Sequence, residues 1–241
     1  PEPSKKSVGK STSGNDVGSR DARPDGMGYY DYNGYADGSA DILEDILAEI
    51  NYVRTRPKEY ALKRLTPMLK KYKGLDYYQN DSLVITTQEG AVACKECIAV
   101  LKKQKPLAPL TMDDLLCRAA TMHMEDQSET GQIGHEGSDG SHSYDRIKKA
   151  GFRGSMTGEN IAYGCFNPVE IVTTLLIDDG MPDRGHRDNF LNPDYDRVGV
   201  AYAQGYNAAY GSVCVIDLGK EGGANDVEGS DYDYGNYGST D

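Results

Sequence analysis

The chain of 241 residues has no tryptophan, only three phenylalanines and four histidines. It lacks any run of about 18 apolar residues, so no segment is long enough to cross a bilayer as a helix. His-Glu-x-x-His is missing, which removes the most specific metalloprotease signature. Gly-x-Ser-x-Gly and phosphate-cradling glycine loops are missing too, so neither a serine-hydrolase elbow nor a nucleotide site is signalled. Apolar residues make up only 38%. The deficit lies at the two ends, leaving enough for an ordinary core between Ala40 and Gly219.

The net charge is -12. That sign repels phosphate backbones and anionic bilayers, so neither nucleic acid nor a membrane surface is an expected partner. The first 23 residues are locally basic (Lys5, Lys6, Lys10, Arg20, Arg23), whereas the last twenty are acidic. Opposite charge at the two ends would help one copy find the next. The first residue is Pro1 rather than methionine, which suggests a removed leader or trimming. Five cysteines, an odd number, leave at least one thiol outside any intramolecular disulfide. Asn80-Asp81-Ser82 is a glycosylation sequon if the chain is secreted from a eukaryotic cell.

Three parts are expected: a flexible tail over 1–38, a folded domain over 39–220, and an acidic tail over 221–241. Both tails are rich in Gly, Asp and Tyr without helical or strand period. Tyr29, Tyr30, Tyr32 and Tyr35 in the first, and Tyr232, Tyr234 and Tyr237 in the second, are candidate assembly contacts. Tyrosine supplies contact area at low entropic cost.

Within the domain, the apolar period predicts a helix over 41–62, kinked or restarted at Pro57, and another over 88–103 with Thr86 and Glu89 as a capping box. A third is expected to start from Thr111 as its cap. A short helix over 144–150 is stopped by Gly151. A strand is expected over 159–163, a helix over 168–177 capped by Asn167, and a helical turn over 185–190. Alternating stretches over 198–203 and 212–218 predict a closing hairpin. Helices preceding and surrounding a mainly antiparallel sheet indicate an α+β layered class.

Among the histidines, His123 falls on the apolar stripe of a helix and reads as structural, and His142 as exposed. His135 and His186 each follow a glycine at a loop edge, where backbone can approach closely. Glu159 lies between them in sequence after Gly158. Two imidazoles and a carboxylate suit either a divalent metal such as zinc or a metal-free hydrogen-bonded network. Cys94 and Cys97 resemble half a zinc ribbon without its second half, so buried or separately bridged cysteines are expected there.

Gly134-His135-Glu136-Gly137, Gly158-Glu159-Asn160-Ile161-Ala162-Tyr163 and Gly185-His186-Arg187-Asp188-Asn189-Phe190-Leu191-Asn192-Pro193 resemble, in order, three motifs of the CAP superfamily. Asn51, Arg54, Pro57 and Tyr60 earlier, and Leu110, Leu115, Ala119, Ala120 and His123, fit as well, so the resemblance spans about 42–218. It implies a three-layer α-β-α sandwich, secretion, and a cleft holding two histidines and two acids, with divalent metal in some members. His135, Glu159 and His186 match by position. Alignment puts the second acid at Asp179, and His135 and His186 are then the metal candidates. The 62–110 insertion departs from shorter members.

Three functions follow as expectations. The first is a non-enzymatic extracellular protein whose tails dock neighbours in a matrix or filament, with self-association or other extracellular proteins as partners. The second is a binding protein taking a small ligand, a lipid or sterol, or a metal in its cleft. The third is a hydrolase with Glu159 as base on a metal-bound water. No cofactor is required by the first.

Overall fold

The structure is a computed structural model that describes residues 40–80, 82–205 and 211–222. Apart from Glu221, which ends the last strand, and Gly222, the two tails, with the seven tyrosines named above, lie outside the described residues.

Helix α1 (Ala40–Thr55) buries Ile46, Ile50 and Val53. It ends before Pro57, which restarts the helix as a separate turn α2 (Pro57–Tyr60), one of the two outcomes expected there. A proline at a first helical position loses no hydrogen bond, while inside a helix it would. A π-helical stretch (Ala61–Leu65) and a turn α3 (Thr66–Met68) lead into a small sheet of β1 (Tyr72–Lys73), β2 (Asp76–Tyr78) and β3 (Val84–Thr86). Helix α4 (Ala91–Lys103) follows. The expected capping box is not formed, because Thr86 belongs to β3; Thr87 Oγ1 accepts from Gly90 N instead.

Strand β4 (Thr111–Met112) occupies the position expected for a helix cap, and Asp113 caps α5 (Asp114–Thr130) by accepting from the Leu115 and Leu116 amides. Then come α6 (Ser143–Ala150), β5 (Gly154–Tyr163), α7 (Pro168–Ile177) capped by Asn167, α8 (Gly185–Leu191), β6 (Arg197–Gln204) and β7 (Ser212–Glu221). Strand β5 starts five residues before the expectation because its glycine-rich beginning still pairs with the end of β7.

The central sheet has order β4-β6-β7-β5. β5–β7 and β6–β7 are antiparallel and β4–β6 parallel. Alternation along β7 sends Cys214, Ile216 and Leu218 into one core with α1, α4 and α7, and Val213 and Val215 into the other with α5. The result is the α-β-α sandwich. Gly199 of β6 is required by contact: a Cβ there would overlap the backbone of Leu116 and Cys117, so the start of α5 lies directly on the sheet.

Candidate functional site

Glu159 is the fixed point of the site. It shares the β5 face of Ile161, toward α5 and α6, and is 7% exposed. Its Oε2 accepts from Arg146 of α6 at 2.8 Å, and its Oε1 faces His135 Nδ1 at 2.8 Å. Arg146 is itself buried and also donates to the carbonyls of His135 (3.0 Å) and Ser141 (2.8 Å), tying the histidine loop to its helix. His123 and Gln127 of α5 hold the Gly134 carbonyl at 2.8 and 3.2 Å, while Tyr163 of β5 accepts from the Gly134 amide at 2.8 Å. His123 is thus structural, as the apolar stripe indicated, and burial lowers its pKa. His142 precedes α6, where its amide donates to Asp145 Oδ2, outside the cluster.

His186 sits in the first turn of α8. Its acid is Asp178, not the expected Asp179. Asp178 Oδ1 lies 2.7 Å from His186 Nδ1, and Oδ2 accepts from the His186 amide at 3.0 Å. Helix α7 stops at Ile177 and Asp178 takes a left-handed conformation (φ 56), a strain that Asp tolerates better than most residues. That twist turns its carboxylate back onto the α8 N-terminus, where unpaired amides favour a negative charge. Asp179 then points the other way and accepts from the Gln88 and Glu89 amides at 2.6 and 2.9 Å, ahead of α4.

The two imidazoles stack with centroids 6.2 Å apart and an interplanar angle of 28°. Each has Nδ1 against a carboxylate, an acceptor, so Nδ1 carries the hydrogen. The opposite edge, with Nε2, is left for solvent or a ligand. The site is built of His135–Glu159–Arg146 and His186–Asp178.

Burial raises the pKa of Glu159, but the His135 hydrogen bond and the Arg146 guanidinium outweigh it, and the net direction is down. Asp217 is the reverse. It lies directly across from Glu159 in the β5–β7 register and is fully buried. Burial first, and the Glu159 charge second, push its pKa well above 3.8. Two adjacent buried carboxyls beside one guanidinium disfavour a second negative charge, and this is why the two directions are opposite.

Three members of this network escaped the sequence reading. Arg146 gave no signal beyond its place on the short helix expected over 144–150. Asp178 was one residue from the position chosen. Asp217 was legible as an acid on the inward phase of an alternating strand, after Val213 and Val215.

A metal would find two imidazole nitrogens here. Both carboxylates are already committed to the rings, and zinc sites use three or four protein ligands. Among the described residues no group of three or more His, Cys, Asp or Glu is arranged around a common point. This donor set does not fit a zinc centre. The five cysteines are all free, so none of the disulfides their number allowed is formed. Cys94 and Cys97 are buried in α4, their thiols pushed up to about 11 and about 12 by burial, which keeps them protonated and inert.

The family model described as "Cysteine-rich secretory protein family" (CAP) matches residues 47–217. The uncharacterized protein YkwD of Bacillus subtilis is 30% identical over 103 residues, 43% of this chain and 38% of that protein. The match therefore spans well under half of that curated relative. An outer surface protein from Borrelia burgdorferi is similar in structure, with a TM-score of 0.41 and 24% identity over 48% of this chain and 80% of that one. An extracellular protein containing a SCP domain from Bacillus anthracis gives a TM-score of 0.40 and 21% identity, over 48% of this chain and 35% of that one.

Proposed function

We propose, from the premise that this chain belongs to the cysteine-rich secretory protein (CAP) family, that it acts outside the cell as a non-catalytic binding protein whose cleft presents His135 and His186. The observation that carries this is the state of the two acids. Glu159 and Asp178 are buried and engaged by imidazole, guanidinium or backbone amides. A general base must reach the proton it removes, and neither acid is free to do so, which sets aside Glu159 as a base and leaves the chemistry of the site to the two ring edges. What the site offers is a pair of oriented ring edges that accept from a hydroxyl or amine, or, when protonated, bind an anion.

The test is a thermal-shift screen of sterols, fatty acids, short peptides and divalent cations, with a parallel assay for ester, peptide and glycoside hydrolysis. A ligand should raise Tm in the native chain and not in His135→Ala/His186→Ala, without turnover. Hydrolysis that disappears in Glu159→Gln would contradict the proposal.

A second reading, assembly through the Tyr/Gly-rich tails, is favoured by one observation: Tyr78, Leu83, Val84 and Ile85 are exposed together in and beside the small β1–β3 sheet. Contiguous exposed apolar surface is a mark of interaction sites.

A further inference from the structure

We propose that the edge of β3 receives the acidic carboxyl-terminal segment, residues 226–241, of a second copy of this chain. The proposal rests on the assembly reading and names its docking site.

Strand β3 pairs only with β2 among the described residues, and all three of its residues are exposed. Hydrogen bonds from Gln79 N to Leu83 O and from Thr87 N to Leu75 O fix the phase of the antiparallel ladder. In that phase Ile85 exchanges bonds with Tyr77, and Val84 and Thr86 direct their N–H and C=O groups away from β2. Stable proteins normally blunt such an edge with charge, proline or a covering element. Here the strand reads Val84-Ile85-Thr86, with neither charge nor proline.

Charge selects the occupant. Residues 69–75 contain Lys70, Lys71 and Lys73 and no acid, whereas Lys63 and Arg64 are already paired with Glu59 and Glu49 and Asp76 of β2 accepts from Thr86 Oγ1. Lys73 Nζ lies 4.5 Å from the centroid of the Tyr78 ring, and Lys71 Nζ 6.0 Å from that of Tyr77, so the sheet is faced by lysine and tyrosine together. The segment 226–241 contains Asp226, Glu228, Asp231, Asp233 and Asp241 and neither lysine nor arginine. The locally basic residues 1–23 have the wrong sign.

Pattern agrees with charge. Asp231-Tyr232-Asp233-Tyr234 alternates, so an extended backbone puts tyrosines on one face and carboxylates on the other. The added strand takes its main-chain bonds from Val84 and Thr86 and lays tyrosine beside the exposed apolar residues, while the lysines steer the approach. At about 3.3 Å per residue, the segment has several times the length that β3 needs.

The experiment uses the full chain. Protection of the Val84 and Thr86 amides from hydrogen exchange, and mass by light scattering, are followed together against protein concentration. Both should rise in step. In Lys70→Glu/Lys71→Glu/Lys73→Glu, and separately in Asp226→Asn/Glu228→Gln/Asp231→Asn/Asp233→Asn, association should weaken roughly tenfold, as high salt should also weaken it. The sheet positions are at the surface, and circular dichroism verifies the fold of each variant. Mass that grows without protection at Val84 and Thr86 would overturn this site and leave the assembly reading standing. Protection independent of concentration would mean the segment folds onto its own chain, overturning the second-copy claim. A constant mass with unprotected amides would overturn both.

Discussion

Asp178 and Asp179 are adjacent acids with different work. Asp178 is 4% exposed and holds a histidine ring and a helix N-terminus, whereas Asp179 caps two amides at a partly open position. Asparagine caps backbone amides about as well as aspartate but offers no charge. Asp179→Asn should therefore change stability by a few tenths of a kcal/mol, and Asp178→Asn should lower it by about 1.5–3 kcal/mol, measured by urea unfolding. Equal effects would place the second acid of the site back at Asp179. Asp217 makes a prediction of its own. Its folded pKa lies above 3.8, so the folded state binds the proton more tightly than the unfolded one. Its contribution is neutral at low pH and grows unfavourable as pH rises above 3.8 toward the folded pKa. Asp217→Asn removes that burden, so its stability relative to the native chain should improve as pH is raised from acid to neutral. Glu159, whose pKa is depressed, runs the opposite way: its contribution is lost as pH falls through its folded value.

Between elements, Arg54 is the principal tie. It is fully buried on α1 and donates to the carbonyls of Ala108 (3.0 Å), Phe190 (2.8 Å), Asn192 (2.9 Å) and Tyr195 (3.1 Å). The guanidinium thereby satisfies the C-terminal end of α8 and the loop after it, although burial lowers its pKa to about 10. Lysine keeps the charge but has one donor nitrogen and no fork. Arg54→Lys should lose about 2–4 kcal/mol by leaving buried carbonyls unpaired, read as a shifted denaturant midpoint with an unchanged slope. The elements themselves were largely legible: 168–177 with its Asn167 cap, and the closing hairpin, stand as the pattern indicated. Boundaries went astray where a short-range signal competed with pairing. Thr86 and Thr111 look like caps in sequence, yet both are strand residues, because β2 and β6 supply partners that sequence does not display.

At the scale of the whole molecule, the resemblance implied the α-β-α sandwich, and the fold brings His135, Glu159 and His186 together. The resemblance did not foretell how they are held. Arg146 comes from α6 and Asp217 from β7, and only the packed helix and the strand register bring them to Glu159. The expectations for the tails fall outside the described residues.

The central claim is that the site presents two imidazoles of fixed orientation, each held at Nδ1 by a buried carboxylate. Nitrogen-15 NMR of the histidine rings, at a pH where they are neutral, tests this directly. The account predicts Nδ1–H tautomers for His135 and His186, with Nε2 unprotonated and shifting when a cleft ligand is added. Nε2–H tautomers at both rings, or a rapid mixture of the two forms, would contradict it.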